Sequence, residues 1–261
     1  MPRLIVSVLL LAWMIRSFIF APFNIPSGSM LPALYIGDYV MVAKWPYGFS
    51  RYSFPWGFPS FDGRIFSRLP KRGDVVVFRA PGTEEDFIKR VVGLPGDTVA
   101  VQGGMLIVNG KPVPREQAGT FAMPISANSP CRVVAGATPI FGRTDSGASA
   151  CLYPVYRETL PDGRSYQVID QVSNPRGDDV APTKVPGGHV FLMGDNRDDS
   201  LDSRFSVKEG GIGFVPVENL MGRAAFISWS TDGSAEYAKP WTWFTALRGD
   251  RIASGLDGQS Q

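Results

Sequence analysis

Histidine is nearly absent: of 261 residues, only His189 carries an imidazole. A Ser-His-Asp triad would have to be built on that residue alone, and its place at the head of an apolar run suits packing better than catalysis. Cysteine is almost as scarce, with Cys131 and Cys151 only. A His/Cys zinc site needs three or four ligands gathered in space, and this chain has too few donors of that kind. The two cysteines, 20 positions apart in a turn-rich segment, could form a disulfide or stay as free thiols. No basic block stands out, and a net charge of +2 gives no reason to expect a nucleic-acid partner. Sustained helical periodicity is also lacking beyond the first 23 residues. The 29 glycines and 22 prolines favour turns and short strands instead. With 44% hydrophobic and 19% charged residues the chain reads as globular, long enough for one large domain or two modest ones.

Residues 4–23, LIVSVLLLAWMIRSFIFAPF, form an apolar run of membrane-spanning length. Arg16 lies in its second half, where a long side chain can reach the headgroups. Trp13 and the cluster of Phe18, Phe20 and Phe23 suit an interfacial end. A cleaved signal peptide is the competing reading, but no small-residue cleavage site follows at the right distance. The expectation is a retained transmembrane anchor over residues 1–23.

Short apolar runs follow, punctuated by Gly, Pro and Asp. Residues 38–45, 74–80, 86–93, 97–110, 187–195 and 222–230 read as strands, and 213–220 as a strand with a short helical turn. The fold class is mainly β. Residues 49–66 are crowded with aromatics among Gly, Pro and Ser, a pattern of neither a core strand nor an amphipathic helix. They either dip rings into a membrane interface or fold over the core. Residues 104–184 are poorer in apolar runs and read as an inserted subdomain. The polar tail after about 245 is expected to fray.

Ser29 lies in PSGSM, where Pro26 and Gly28 impose an irregular backbone that can expose a hydroxyl and aim N–H groups at a substrate. It follows the apolar run by six residues, within roughly 20 Å even for an extended chain. A serine needs a base, and Lys89 sits in an apolar strand among Phe87, Ile88, Val91 and Val92. Alternation puts Lys89 on the face of Phe87 and Val91, and Arg90 on the other. A lysine held among apolar side chains loses hydration of its charged form, so its pKa falls towards the range of a general base. The bland alternative is an edge-strand lysine pointing to water. The run GDNRDDSLDSR at 194–204 offers Asp195, Asp198, Asp199 and Asp202 to a metal, but it lacks EF-hand spacing and two arginines interrupt it. A salt-bridged loop with Arg90 as outside partner is the better reading.

Taken in order, RSFIFAPFNIPSGSMLPAL, GDYVMVAKWPYG, KRGDVVVFRAP, DFIKRVVGLPGD, VPGGHVFLMGDNRDDSLDSR and GFVPVENLMGRA resemble the bacterial type I signal peptidases (leader peptidases). The likeness covers most of the chain outside 104–184. It implies a membrane-anchored serine endopeptidase with a Ser-Lys dyad, cutting after Ala-X-Ala through an acyl-enzyme. Ser29 matches the nucleophile and Lys89 the general base. Ser27 matches the hydroxyl that completes the oxyanion hole, and Ser200 the serine that holds the lysine amine. Asp202, Arg204 and Arg90 match a supporting salt-bridged set. Ile25, Pro26, Met30, Leu34, Phe87 and Ile88 match positions that bind the signal peptide.

The implied architecture is a short-stranded antiparallel β catalytic core over 24–103 and 185–245, with an inserted β-rich cap at 104–184. One N-terminal transmembrane helix precedes it and a flexible tail follows at 246–261. No metal or organic cofactor is implied. The implied partners are signal peptides and membrane lipids, not nucleic acid, and the expected state is a monomer. The implied place is the bacterial inner membrane, single-pass, with the catalytic part on the periplasmic side. That location favours a Cys131–Cys151 bridge, which would contribute about 3 kcal/mol by loop closure.

Overall fold

The structure is a computed structural model that describes residues 2–236 and 238–256. Its centre is a seven-stranded antiparallel sheet. In spatial order the strands are Phe20–Asn24, Asp38–Ala43, Leu220–Ser230, Val75–Arg79, Asp86–Gly93, His189–Met193 and Val215–Pro216. The runs VVVFR and FIKRVV are buried on both faces, which is why they lack an apolar/polar alternation. One face packs Ile25, Met30, Leu34, Val75, Val77 and Ile88 together. The other packs Val76, Phe78, Val91, Val190 and Leu192, with Phe87 against them.

Two further sheets carry the middle of the chain. Thr98–Gln102 and Met105–Val108 form a hairpin flanked by Val180–Lys184 on one side and Lys111–Pro112 on the other. A boundary between residues 103 and 104 therefore falls inside a hairpin. Arg115–Pro124, Ile140–Arg143, Ser149–Thr159 and Ser165–Ile169 make the third sheet. Cys151 of its central strand Ser149–Thr159 is bonded to Cys131, their Cα atoms 5.2 Å apart.

The N-terminus departs from the expected anchor. The helix Pro2–Met14 has 13 residues, roughly 20 Å at 1.5 Å per residue, against about 30 Å of hydrocarbon. A π-helical turn, Ile15–Ile19, ends it, and Phe20–Asn24 then pairs with Asp38–Ala43. Residues 20–23 thus belong to the sheet. Among the described residues no helix is long and apolar enough to cross a membrane. The physical reason lies in the aromatics: Trp13 stacks on Phe54 and Phe18 packs against Phe49 and Phe54, so rings draw the chain onto the 49–61 segment.

The tail is also corrected, up to residue 256. Arg251 forms an ion pair with the buried Asp38 at 2.6 Å and Arg248 donates to the Ile36 carbonyl, so 246–256 is fastened to the core. Residues 257–261 lie outside the described part.

Candidate active site

Ser29 sits on the irregular segment between the strands Phe20–Asn24 and Asp38–Ala43. Two contacts from Asn196 fix its backbone. The Asn196 N–H donates to the Ser29 carbonyl at 3.1 Å, and its side-chain amide donates to the Gly28 carbonyl at 3.2 Å. The approach is so close that a Cβ on Gly194 would lie 2.6 Å from the Ser29 oxygen and 2.3 Å from Ser200 Oγ. Only glycine allows the loop to reach Ser29 there. The Ser29 N–H itself donates to nothing among the described residues, and Ser27 Oγ lies 3.4 Å from Ser29 Oγ.

Lys89 comes from the strand Asp86–Gly93, and its Nζ lies 2.5 Å from Ser29 Oγ. The lysine is only 5% exposed. Burial pulls its pKa down to about 8, although the carboxylates of Asp202, Asp195 and Asp199 pull the other way. A substantial neutral fraction therefore exists near neutral pH, 2.5 Å from a hydroxyl.

The 194–204 loop supports this pair through separate contacts. Asp202 is wholly buried and paired with Arg204 at 2.9 Å. Burial pushes its carboxyl up, but Arg204 and hydrogen bonds from Gly194 N and Ser200 outweigh that and hold it below the ordinary carboxylate value. Ser200 donates to Asp202 at 2.8 Å, not to Lys89, whose amine bonds only Ser29 among the described residues. The expected role of Ser200 on the lysine amine is thus not the contact observed. The carboxylate, as the stronger acceptor, takes the hydroxyl proton.

Arg90 likewise does not join Asp202 and Arg204. It makes a buried bidentate pair with Asp195 at 2.6 and 2.8 Å and lies over the Tyr166 ring. The expected three-residue set is two independent pairs, because Lys89 and Arg90 leave the strand on opposite sides.

Ile25, Met30, Leu34 and Ile88 are buried in one apolar cluster. Pro26 and Phe87 line an open cleft of about 860 Å³ with Ser27, Ser29, Lys89 and Ser200. His189 lines no part of this cleft and contacts the Gly187 carbonyl. The loop's aspartates do not gather round a common point. Asp195 and Asp202 hold arginines, Asp199 pairs with Arg132, and only Asp198 meets other acids, Asp170 and Asp178. Burial raises the Asp198 carboxyl to about 6.

Sequence reasoning missed Asn196, whose neutral amide leaves no charge pattern, although it sits inside the GDN run. It also missed Glu158, which holds the buried Arg197 from the third sheet. Its position in a segment without clear strand patterning carried no signal.

The cleft thus brings a serine hydroxyl and a buried lysine amine of lowered pKa into contact. The family model described as "Signal peptidase, peptidase S26" matches residues 1–229. A signal peptidase I of Rickettsia typhi is 36% identical over 233 residues, 86% of this chain and 77% of that protein. One from Rickettsia massiliae is 36% identical over 235 residues, 87% and 77% of the two chains. The chain belongs to the S26 signal peptidase family, and is with it a serine endopeptidase. A crystal structure of a signal peptidase I from Enterococcus faecalis V583 matches at 23% identity, covering 60% of this chain and 97% of that one. Its TM-score of 0.29 bears no weight for the fold, which rests on this chain's own sheets.

Proposed function

We propose that this chain removes N-terminal signal peptides from exported preproteins, with Ser29 as nucleophile and Lys89 as general base. The observation that carries the reading is the 2.5 Å contact between a buried amine of lowered pKa and the Ser29 hydroxyl. Neutral Lys89 takes the Ser29 proton as Oγ attacks the scissile carbonyl. The oxyanion that forms meets the unengaged Ser29 N–H and the Ser27 hydroxyl. The resulting ammonium returns its proton to the leaving amine, and the mature protein departs. Water then gives a proton to Lys89 and attacks the Ser29 ester. The signal peptide leaves as a carboxylate and the serine hydroxyl is restored.

Specificity for Ala-X-Ala follows from an extended substrate, whose residues one and three before the cut face the same way. Ile88 lines that side, and Ile25, Met30 and Leu34 pack behind it in the same buried cluster, so small side chains fit best. Pro26 and Phe87 flank the entry. Asp202–Arg204 and Arg90–Asp195 hold the 194–204 loop against Ser29.

A membrane-surface location is supported by exposed apolar side chains. Leu4, Ile5, Leu9 and Leu11 of the helix, and Trp56, Phe58 and Phe66 of the aromatic segment, all face outward. The bonded cysteines suit the oxidising side of that membrane.

The test is turnover of a preprotein in detergent. Ser29→Ala and Lys89→Ala each abolish processing, while His189→Ala processes normally. Retained processing in Lys89→Ala would overturn the assignment.

A further inference from the structure

Outside the Ser29 cleft a cavity of about 1050 Å³ lies where the N-terminal helix meets the aromatic segment. Leu9 and Trp13 of the helix and Phe54 and Trp56 of the segment contribute apolar wall. Four cations, Arg16, Lys44, Arg51 and Arg79, face the same space. Arg79 is already taken by Glu84 and Asp86, and Arg51 donates to the Tyr52 hydroxyl. The side chains of Lys44 and Arg16 have no hydrogen-bond or ion-pair partner among the described residues.

Lys44 is the anomaly. It is 4% exposed, and its amine opens into the cavity with no hydrogen-bond acceptor; the Asp86 carboxylate borders the same space but is paired with Arg79 and acts on Lys44 only at longer range. A buried cation without a partner is unfavourable by several kcal/mol. Such a group is retained where an anion completes it. The same burial lowers its pKa to about 8, the Asp86 carboxylate opposing the fall and Arg16 adding to it.

The surroundings say which anion. Adjoining the cations, the helix presents Leu4, Ile5, Leu9 and Leu11 outward, and Trp56 is 94% exposed. A ligand that matches both features has an anionic head beside hydrocarbon. A free inorganic ion would leave the apolar wall unfilled, and a signal peptide's apolar stretch would leave Lys44 unpaired.

We infer that this cavity binds one acidic phospholipid, its phosphodiester between Lys44 and Arg16 and its acyl chains along the exposed face of the helix Pro2–Met14. The site is separate from the Ser29 chemistry, although Phe23 and Asp86 border both spaces. Occupancy there would seat the open end of the cleft at the lipid surface.

Native mass spectrometry of the full chain, released from neutral detergent micelles doped with phosphatidylglycerol, tests this directly. The wild type and Ser29→Ala should both retain one phosphatidylglycerol, so the result does not depend on the catalytic assignment. Phosphatidylcholine should not be retained. Lys44→Gln and Arg16→Gln should each lower retention about tenfold, the loss expected for one charge-assisted contact, and Lys44→Arg should restore it. If Lys44→Gln does not fold, the exposed Arg16→Gln carries the comparison. Wild-type retention in the Arg16→Gln and Lys44→Gln variants, retention of phosphatidylcholine equal to that of phosphatidylglycerol, or displacement by inorganic phosphate would each overturn the inference. So would a raised KM for a signal-peptide substrate in Lys44→Gln with lipid retention unchanged, since the cavity would then be a peptide subsite.

Discussion

Lys44 and Lys89 are both buried at strands of the seven-stranded sheet, and burial lowers both amines to about 8. Only Lys89 has a serine hydroxyl at 2.5 Å. Lys44 opens instead into a cavity beside Arg16. Desolvation therefore prepares either lysine as a base, and the neighbouring segment decides what it does. At Lys89 the neighbour is the 25–31 turn, pinned by Asn196. At Lys44 it is the end of the N-terminal helix, which brings a second cation and no acceptor for the amine.

Breaking the two sites separately gives the largest contrast. Lys89→Ala should lower kcat by about 10²- to 10⁴-fold, the usual worth of a general base, whereas Lys44→Ala should leave a measurable rate. A third buried cation sharpens the comparison, because Arg90 has the carboxylate that both lysines lack. Arg90→Ala strands Asp195 in the core and should destabilise the protein by about 3–5 kcal/mol in urea unfolding.

Lys89→Met should act in the opposite direction on stability. The wild-type amine binds its proton less well folded than unfolded, so the charged form opposes folding. That penalty is complete below about 8 and fades as pH rises towards the unfolded value. The substitution should therefore stabilise the fold by roughly 3 kcal/mol near neutral pH while removing activity, and the gain should shrink in alkaline buffer. The smallest effect belongs to the half-exposed pair Arg132–Asp199. Arg132→Ala should change stability by less than about 1 kcal/mol.

The strands at 38–43, 75–79, 86–93 and 220–230 were legible because continuous apolar runs between turn residues have few other uses. Lys89 stood out for the same reason. The third sheet was not legible: Arg115–Pro124 is mostly exposed, and its few apolar residues do not recur at a strand period. The N-terminal run misled because hydropathy counts residues without knowing that Phe18 and Trp13 have rings to meet far along the chain. Arg248 and Arg251 made the tail look solvated, yet their partners are carbonyls and a carboxylate near residue 36. Lys44 was hidden inside a strand reading, since the segments that bury it come from elsewhere. Partner choice in the 194–204 loop was equally non-local: its charge density predicted ion pairs, but not that Arg90 would choose Asp195 over Asp202.

The pH dependence of kcat/KM for preprotein cleavage tests the central claim most directly, because it reports the base in the free enzyme. If neutral Lys89 is that base, the rate rises with pH through an apparent pKa of about 8, and His189→Ala leaves the limb in place. A limb centred near about 6.5 that disappears in His189→Ala would contradict the account, since that is the titration of an ordinary histidine.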